Sequence, residues 1–413
     1  MLWLALQTGK IRKEVTQMKK GIRDRVAIIG TGVTKFGEMW DRDGKGLLAD
    51  AVYMACKNAN VDLRKDIEAV WVGNQYTSTG WAGSTFTEAL KVYGKPVTRC
   101  ENFCATGMDC VKNAAYSVAA GVHDIVLACG VEKLMDQGSR GLPGLDNFHP
   151  LGMNTSAPAI FALCAVKAFK EWGWSKEDLA RVVVKNHHNG AKNPKAHFRK
   201  EIGIEVVMNA PMIAYPLGLY DCCAMSDGAA AVVLTTPEIA KRLVGENNYV
   251  TIKGIGHAVY GLDAYNDPDF TALSFPANIA AVKMAFNDAG ITNPRKDLDF
   301  GIVHDCFSIN ELLTYQDVGL CKRGEAADLI RNGVTAIDGD FPINPDGGLK
   351  CFGHPIGATG VRMVCELTRQ ILGKAEGYQV KNARAGFAHN LGGPFTTSMI
   401  TVVGSPDWEA GGK

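Results

Sequence analysis

Residues 101–131 read ENFCATGMDCVKNAAYSVAAGVHDIVLACGV, and the order of signals in that stretch decides the fold class. Met108, Val111, Ala115 and Val118 recur at spacings of 3, 4 and 3, which is the period of an amphipathic helix. Asp124 to Val131 (DIVLACGV) follows as a short β-branched apolar run, the mark of a buried strand. Working outward, Arg25 to Gly30 (RVAIIG) is a strand followed by a helix-like stretch from Gly46 to Asn60, and Ile67 to Gly73 (IEAVWVG) is another strand. Strands that alternate with helices predict an α/β protein built in layers.

The same order begins again after residue 248. Tyr249 to Ile255 (YVTIKGI) is a strand, a helix lies near Ala277 to Ala289, Leu298 to Val303 (LDFGIV) is a strand, a further helix follows, and a strand pair closes the chain around Ala383 to Val403. In each half a strand delivers a reactive segment to a helix start, at Cys104 and at His304, as an internal duplication would. The expected division is an N-terminal extension at 1–20, an N-terminal half at 21–248 and a C-terminal half at 249–413. Residues of about 135–210 are rich in Gly, Asn, His and Lys (GSRGLPGLDNFHPLG, KNHHNGAKNPKAHF) and are expected to form an inserted loop domain suited to substrate binding.

Composition removes several functions. The chain has 413 residues with 44 Lys+Arg against 43 Asp+Glu, a net charge of +1, so it lacks the basic surface that nucleic-acid binding requires. No apolar run approaches the roughly 20 residues of a membrane span. The run Met1 to Leu6 is followed by Gln7, Thr8 and Lys10 and reads as a tail, not a signal peptide. Twelve cysteines spread along the chain without a C-x-x-C pair indicate a reducing cytoplasm and no zinc ribbon in this chain.

Four segments carry candidate chemistry. Gly30, Gly32 and Gly37 follow a strand, but Lys35 stands where a dinucleotide fingerprint needs its third glycine, so a nucleotide loop is excluded first. Cys104 in ENFCATG precedes a helix whose N-terminal partial positive charge would favour the thiolate, the nucleophilic form. The turn GHPIGATG at 353–360 holds His354 before a proline-fixed φ, where glycines permit close packing. His304-Asp305-Cys306-Phe307 ends the strand LDFGIV, and His389-Asn390-Leu391-Gly392-Gly393 lies between the last two strands. Strand ends gather α/β sites, and adjacent glycines expose N–H groups suited to an oxyanion. His187 and His188 with Lys185 and Lys192 read equally as binding residues or as a solvated polar loop.

These four segments, in this order, resemble the thiolase superfamily from about residue 24 to residue 404. CATG is similar to the family's nucleophile motif and GHPIGATG to its GHP signature. HDCF with HNLGG resembles the sterol-carrier-protein-type and archaeal acetoacetyl-CoA thiolases, where most of the family has NEAF and C-x-G. The resemblance implies the thiolase fold: two similar βαβαβαββ halves in a five-layered αβαβα arrangement. It implies a ping-pong acyl transfer with coenzyme A as co-substrate, in which His354 deprotonates Cys104 and the thiolate attacks a 3-oxoacyl-CoA. His304 and His354 would form one oxyanion hole, and the N–H groups of Cys104 and Gly392 the other. Asn390 stands in place of the C-x-G cysteine and cannot shuttle protons, so the acid/base role falls to Cys306, with His389 the runner-up. The resemblance also implies a homodimer or dimer of dimers, and for this subtype a separate small OB-fold, zinc-ribbon subunit. The acyl group stays open among short-chain, aromatic or branched (such as benzoylsuccinyl-CoA) and sterol side-chain thioesters. Condensation of two acetyl-CoA, a ketosynthase-type condensing enzyme and a non-catalytic scaffold subunit are the rival readings.

Overall fold

The computed structural model describes residues 21–76, 81–137, 156–263 and 270–412. The expected N-terminal extension at 1–20, and residues 138–155 of the expected loop domain, lie outside the described residues. Eleven strands are present there: β1 Ala27–Val33, β2 Ala69–Gly73, β3 Val97–Cys100, β4 Ile125–Lys133, β5 Met212–Ala214, β6 Leu217–Gly218, β7 Asp227–Thr235, β8 Val250–Val259, β9 Phe300–Ile302, β10 Ala385–Gly392 and β11 Thr397–Gly404. Apart from the β5–β6 pair, they run in the order β3-β2-β4-β7-β1-β8-β11-β10-β9. The order is a mirror about the junction of β1 and β8, where only Ala27–Thr251 and Ile28–Val250 pair.

Five helices place the site: α1 Gly44–Ala59, α2 Thr106–Ala119, α3 Lys176–Ala191, α4 Pro276–Ala289 and α5 Ile356–Ile371. Helix α1 covers β1 and β7 on one outer face, and α4 covers β8 and β11 on the other. Between the two half-sheets α2 packs on α5, which also touches β4, β7 and β10. This gives the five layers. Both faces of β4 are buried: its Leu127, Cys129 and Val131 face α1, while Val126 and Ala128 face the central helices. A strand buried on both sides carries no polar alternation, which is why its sequence is a continuous apolar run.

The duplication is written into backbone contacts. A Cβ on Gly30 or Gly32 of β1 would lie 2.2 or 1.9 Å from the carbonyls of Ala55 or Ala51 in α1, and a Cβ on Gly254 or Gly256 of β8 would lie 2.1 or 1.8 Å from those of Ala285 or Ala281 in α4. In both halves two strand glycines, one apart, let an alanine-faced helix sit against the strand. Two of the glycines that suggested a nucleotide loop, Gly30 and Gly32, thus serve helix packing. The halves differ in one respect: the counterpart of β3 in the second half is a single bridge between Gly301 and Ile343.

The stretch read as loop is substantially helical where described. It contains the helices Ala157–Trp172, α3 and Ile204–Met208. Helix α3 opens with a capping box between Ser175 and Asp178. Its polar face is buried against protein partners: Lys185 reaches Glu311 at 2.7 Å, Asn186 donates to Asp305 and Glu311 at 2.8 Å each, and Asn189 donates to the Asn344 carbonyl at 2.9 Å. Buried polar groups need such partners, and these occupy Lys185, Asn186 and Asn189, while His188 and Lys192 stay at the surface.

Candidate active site

Cys104 sits on a tight elbow between β3 and α2. Phe103, immediately before it, adopts φ +50, a left-handed conformation that costs a non-glycine residue roughly 1–3 kcal/mol. The turn is pinned to the first turn of the helix. The Asn102 N–H donates to Thr106 Oγ1 at 2.8 Å, Thr106 Oγ1 donates to the Phe103 carbonyl at 2.5 Å, and the Asn102 amide donates to Asp109 Oδ2 at 2.8 Å. The helix cap is Ala105, so the cysteine stands one residue before the cap.

His354 arrives at the start of α5, the pseudo-symmetric partner of α2. Its backbone N–H donates to the Ala224 carbonyl at 3.2 Å. Its Nδ1 lies 2.7 Å from Thr359 Oγ1, whose own hydrogen goes to the Pro355 carbonyl at 3.0 Å. Nδ1 therefore carries a hydrogen, and Nε2 is a bare lone pair; it is buried with no hydrogen-bond partner among the described residues. His304 follows β9 and its ring stands edge-on to that of His354, with centroids 5.1 Å apart. The Cys104 sulfur and one nitrogen of each histidine lie within 4.8 Å of one another. Three segments far apart in the chain thus converge on one point, with the spacing of a catalytic set and also of a metal-ligand set.

The expected glycine donor moves by one residue. Backbone N–H groups of Gly393 and of Cys104 itself reach the sulfur, whereas Gly392 ends β10 opposite Thr397. Gly393 has φ +61, a turn that aims its N–H inward and that glycine adopts freely. The two acid/base candidates separate as well. On β10 successive side chains face opposite sides: Asn390 faces Cys104 and His304, while His389 points away and bonds Asn278 Oδ1 on α4 at 2.9 Å. Cys306 is buried beside the site, close enough that Cys104 and Cys223 both push its thiol up in pKa after burial itself. Asp305 of the same motif is structural: it receives the Leu349 and Lys350 N–H groups at 2.6 and 3.1 Å.

Protonation states follow from burial. Desolvation pushes the Cys104 thiol up to about 12, outweighing the N–H donors at the sulfur. It pushes His354 down to about 3 and His304 well below its usual range, with the nearby His354 adding to the effect. Two effects oppose each other at Cys104: the helix N-terminus and the N–H donors at the sulfur favour thiolate, while enclosure of the sulfur favours the thiol. Burial thus favours the neutral thiol and the neutral imidazole over the ion pair. Because only thiolate reacts, alkylation of Cys104 by iodoacetamide should accelerate about tenfold per pH unit between about pH 7 and 10. A plateau below about pH 9, measured by peptide mass spectrometry, would show instead a preformed thiolate–imidazolium pair.

A cavity of about 710 Å³ ends at His354, lined among others by Met135, Phe198, Leu219, Cys223, Met225 and Phe307. Behind it Glu132 ties β4 to the start of α5, accepting the N–H groups of Gln75, Tyr76 and Gly357 at 3.1, 2.9 and 2.9 Å. Burial raises its carboxyl to about 7. The sequence carried no signal for Glu132 beyond its place at the end of an apolar strand, and the roles of Asn390 and Gly393 lay hidden within a motif read for other residues.

Family models match the two halves in turn: residues 26–238 fit "Thiolase, N-terminal domain" and residues 256–405 fit "Thiolase C-terminal domain-like". The chain belongs to the thiolase family. It is 36% identical over 384 residues to an acetyl-CoA acetyltransferase of Methanothermobacter thermautotrophicus, covering 91% of this chain and 98% of the relative. It is 32% identical to benzoylsuccinyl-CoA thiolase subunit BbsB of Thauera aromatica, covering 89% and 95%. These relatives and the matched domains make this thiolase an acyltransferase. Its fold is shared with the solved "Ltp2-ChsH2(DUF35) aldolase", at a TM-score of 0.80 and 24% identity over 94% of this chain and 99% of that one. Among the described residues no helix is long and apolar enough to cross a membrane.

Proposed function

We propose that this thiolase cleaves a 3-oxoacyl-CoA through an acyl group carried on Cys104. The observation that carries the reading is the convergence of the Cys104 sulfur with one nitrogen each of His354 and His304 within 4.8 Å, the two rings being hydrogen-bonded so as to favour opposite tautomers. His354 presents a bare Nε2 that takes the thiol proton as sulfur attacks C3, and His304 presents an Nε2–H to the thioester oxygen. The oxyanion formed at C3 is received by the N–H groups of Cys104 and Gly393. When the C2–C3 bond breaks, the departing acyl-CoA enolate takes the proton of Cys306, whose raised pKa keeps it a thiol ready to donate. In the second half-reaction the thiol of coenzyme A gives its proton to the Cys306 thiolate and attacks the acyl group; Cys104 leaves and recovers its proton from His354. Charges balance in both halves, and the same steps reversed are a condensation.

The cavity supports an acyl group larger than acetyl. Its volume is that of a pocket for a complete small ligand, and Phe198, Phe307 and the methionines suit an aromatic or branched chain, as the name of the Thauera relative describes for that protein. Condensation of two acetyl-CoA, the activity in the name of the archaeal relative, is the alternative. Two further readings concern assembly. The edge strand β3 is partly exposed and, among the described residues, has no neighbour on one side, which supports a second copy pairing there. A separate small OB-fold, zinc-ribbon subunit is supported by the name of BbsB, a thiolase subunit, and by the DUF35 component of the solved aldolase. Native enzyme purified without any small zinc protein would count against it. Twelve free cysteines support a reducing, cytoplasmic setting.

Intact-protein mass spectrometry after incubation with acetoacetyl-CoA, benzoylsuccinyl-CoA and branched 3-oxoacyl-CoA esters tests the function. Wild type should gain one acyl mass, which names the substrate class, and Cys104→Ala should gain none. Folded protein that forms no adduct with any ester, with the small subunit supplied, would move the scaffold reading to the front.

A further inference from the structure

We infer that Asn390 fixes which nitrogen of His304 carries hydrogen, and thereby makes the space between Cys104, His304 and His354 a receptor for an oxyanion and not for a metal ion. Asn390 is a positioning residue, acting through His304. The inference deepens the proposed reading, because it rests on His304 donating to the substrate's oxygen.

One atom of Asn390 serves two neighbours. Nδ2 lies 2.9 Å from the Cys104 carbonyl oxygen and 3.0 Å from His304 Nδ1. A carbonyl only accepts, so the group facing it is the amide NH₂, which leaves its second hydrogen for the histidine. His304 Nδ1 must then be a bare acceptor, and in a neutral imidazole the hydrogen sits on Nε2. The opposite amide orientation would set Oδ1 against the Cys104 carbonyl. As it stands, Oδ1 has no hydrogen-bond partner among the described residues and packs against α5, where a Cβ on Gly360 would lie 2.4 Å from it. Asn390 therefore keeps an unsatisfied buried oxygen in order to hold both donors in place, the kind of local cost that marks functional sites.

The consequence is chemical selectivity. Sulfur and two imidazole nitrogens within 4.8 Å match the ligands of zinc-type sites. A metal needs a lone pair on each ligand atom, and a ligating histidine normally gives its other ring hydrogen to an acceptor. His354 meets that condition, with Nδ1–H on Thr359. His304 does not, because Asn390 supplies a donor where a metal site would place an acceptor.

Full-length protein labelled with ¹⁵N-histidine, read by long-range ¹H–¹⁵N correlation, distinguishes bare from protonated ring nitrogens. His304 should show a bare Nδ1 and His354 a bare Nε2, assigned with His304→Gln and His354→Gln. Asn390→Asp turns the donor into an acceptor. It should move the His304 hydrogen to Nδ1, lower kcat/KM by about 10²–10³, the loss expected for one oxyanion donor, and raise Co²⁺ affinity at least about tenfold, seen by thiolate-to-cobalt absorption. In a His304→Gln background the same change should cost less than about threefold, since its route to the reaction is gone. A protonated Nδ1 on His304 in the wild type would overturn the inference without any variant. So would Asn390→Asp as active as wild type, or a loss of equal size with and without His304. If the tautomers are as stated but no ester acylates Cys104, the proposed function fails and the inference about His304 stands; acylation of a protein with the reverse His304 tautomer would leave the function standing and remove the inference.

Discussion

Gly360→Ala is expected to cost this thiolase about 3–5 kcal/mol of stability, at the severe end for an overpacked site, and to remove most activity from whatever protein still folds. The added methyl would stand 2.2 Å from Met108 N, 2.9 Å from the Gly107 carbonyl carbon and 2.4 Å from Asn390 Oδ1. Two of those atoms are backbone of α2, so no side-chain rotation relieves the contact; the helices must part. The site is hung from this crossing. Cys104 precedes α2 and His354 precedes α5, and a displacement of about 1 Å between reacting groups can cost on the order of a hundredfold in rate. Thermal unfolding and turnover should therefore fall together. Gly203→Ala is the control: a Cβ there meets nothing within 4 Å, and its effect should stay within about 1 kcal/mol. Unchanged stability and activity in Gly360→Ala would show that the two helices are not held by glycine contact at all.

That crossing also explains what the sequence disclosed about the fold and what it withheld. The strands were legible because β4 and β7 bury both faces, leaving continuous runs such as DIVLACGV. The repeat was legible from the order of elements. Its physical basis, the matched glycine pairs of β1 and β8 under α1 and α4, was not, because a glycine's reason lies in the atom opposite. Helix α3 escaped notice for a related cause: KNHHNGA looks solvated until Asp305, Glu311, Ile343 and Asn344 are brought against it from the other half of the chain. A local signal existed in Ser175 and Asp178, whose spacing is that of a capping box.

At the site, residue types were legible and directions were not. Period-2 alternation puts His389 and Asn390 on opposite faces, but only the sheet's neighbours decide which face meets Cys104. The residue set aside as unable to move protons is the one that touches the nucleophile's carbonyl, while the imidazole held as runner-up is occupied by Asn278, itself bonded to Asp317 at 2.9 Å. Charge states were equally out of reach. A helix N-terminus is visible in sequence and argues for thiolate; the enclosure that argues for thiol is a property of the folded chain alone.

His354→Ala separates these two pictures of the nucleophile with a large effect. If the resting pair is neutral, His354 acts only when sulfur attacks. Its removal should lower kcat/KM for thiolysis by roughly 10³–10⁴, toward the upper range for a general base. Alkylation of Cys104 by iodoacetamide, which needs only a transient thiolate, should change less than about tenfold, because a neutral imidazole does little to lower the thiol's pKa. A preformed thiolate–imidazolium pair predicts otherwise: losing the cation would depress alkylation nearly as far as turnover. The sign agrees with burial. Burial pushes His354 down to about 3 and Cys104 up to about 12, which favours the proton on sulfur until bond formation to carbon lowers the basicity of the sulfur. Parallel losses in the two assays would place the proton on His354 in the resting enzyme and overturn that assignment.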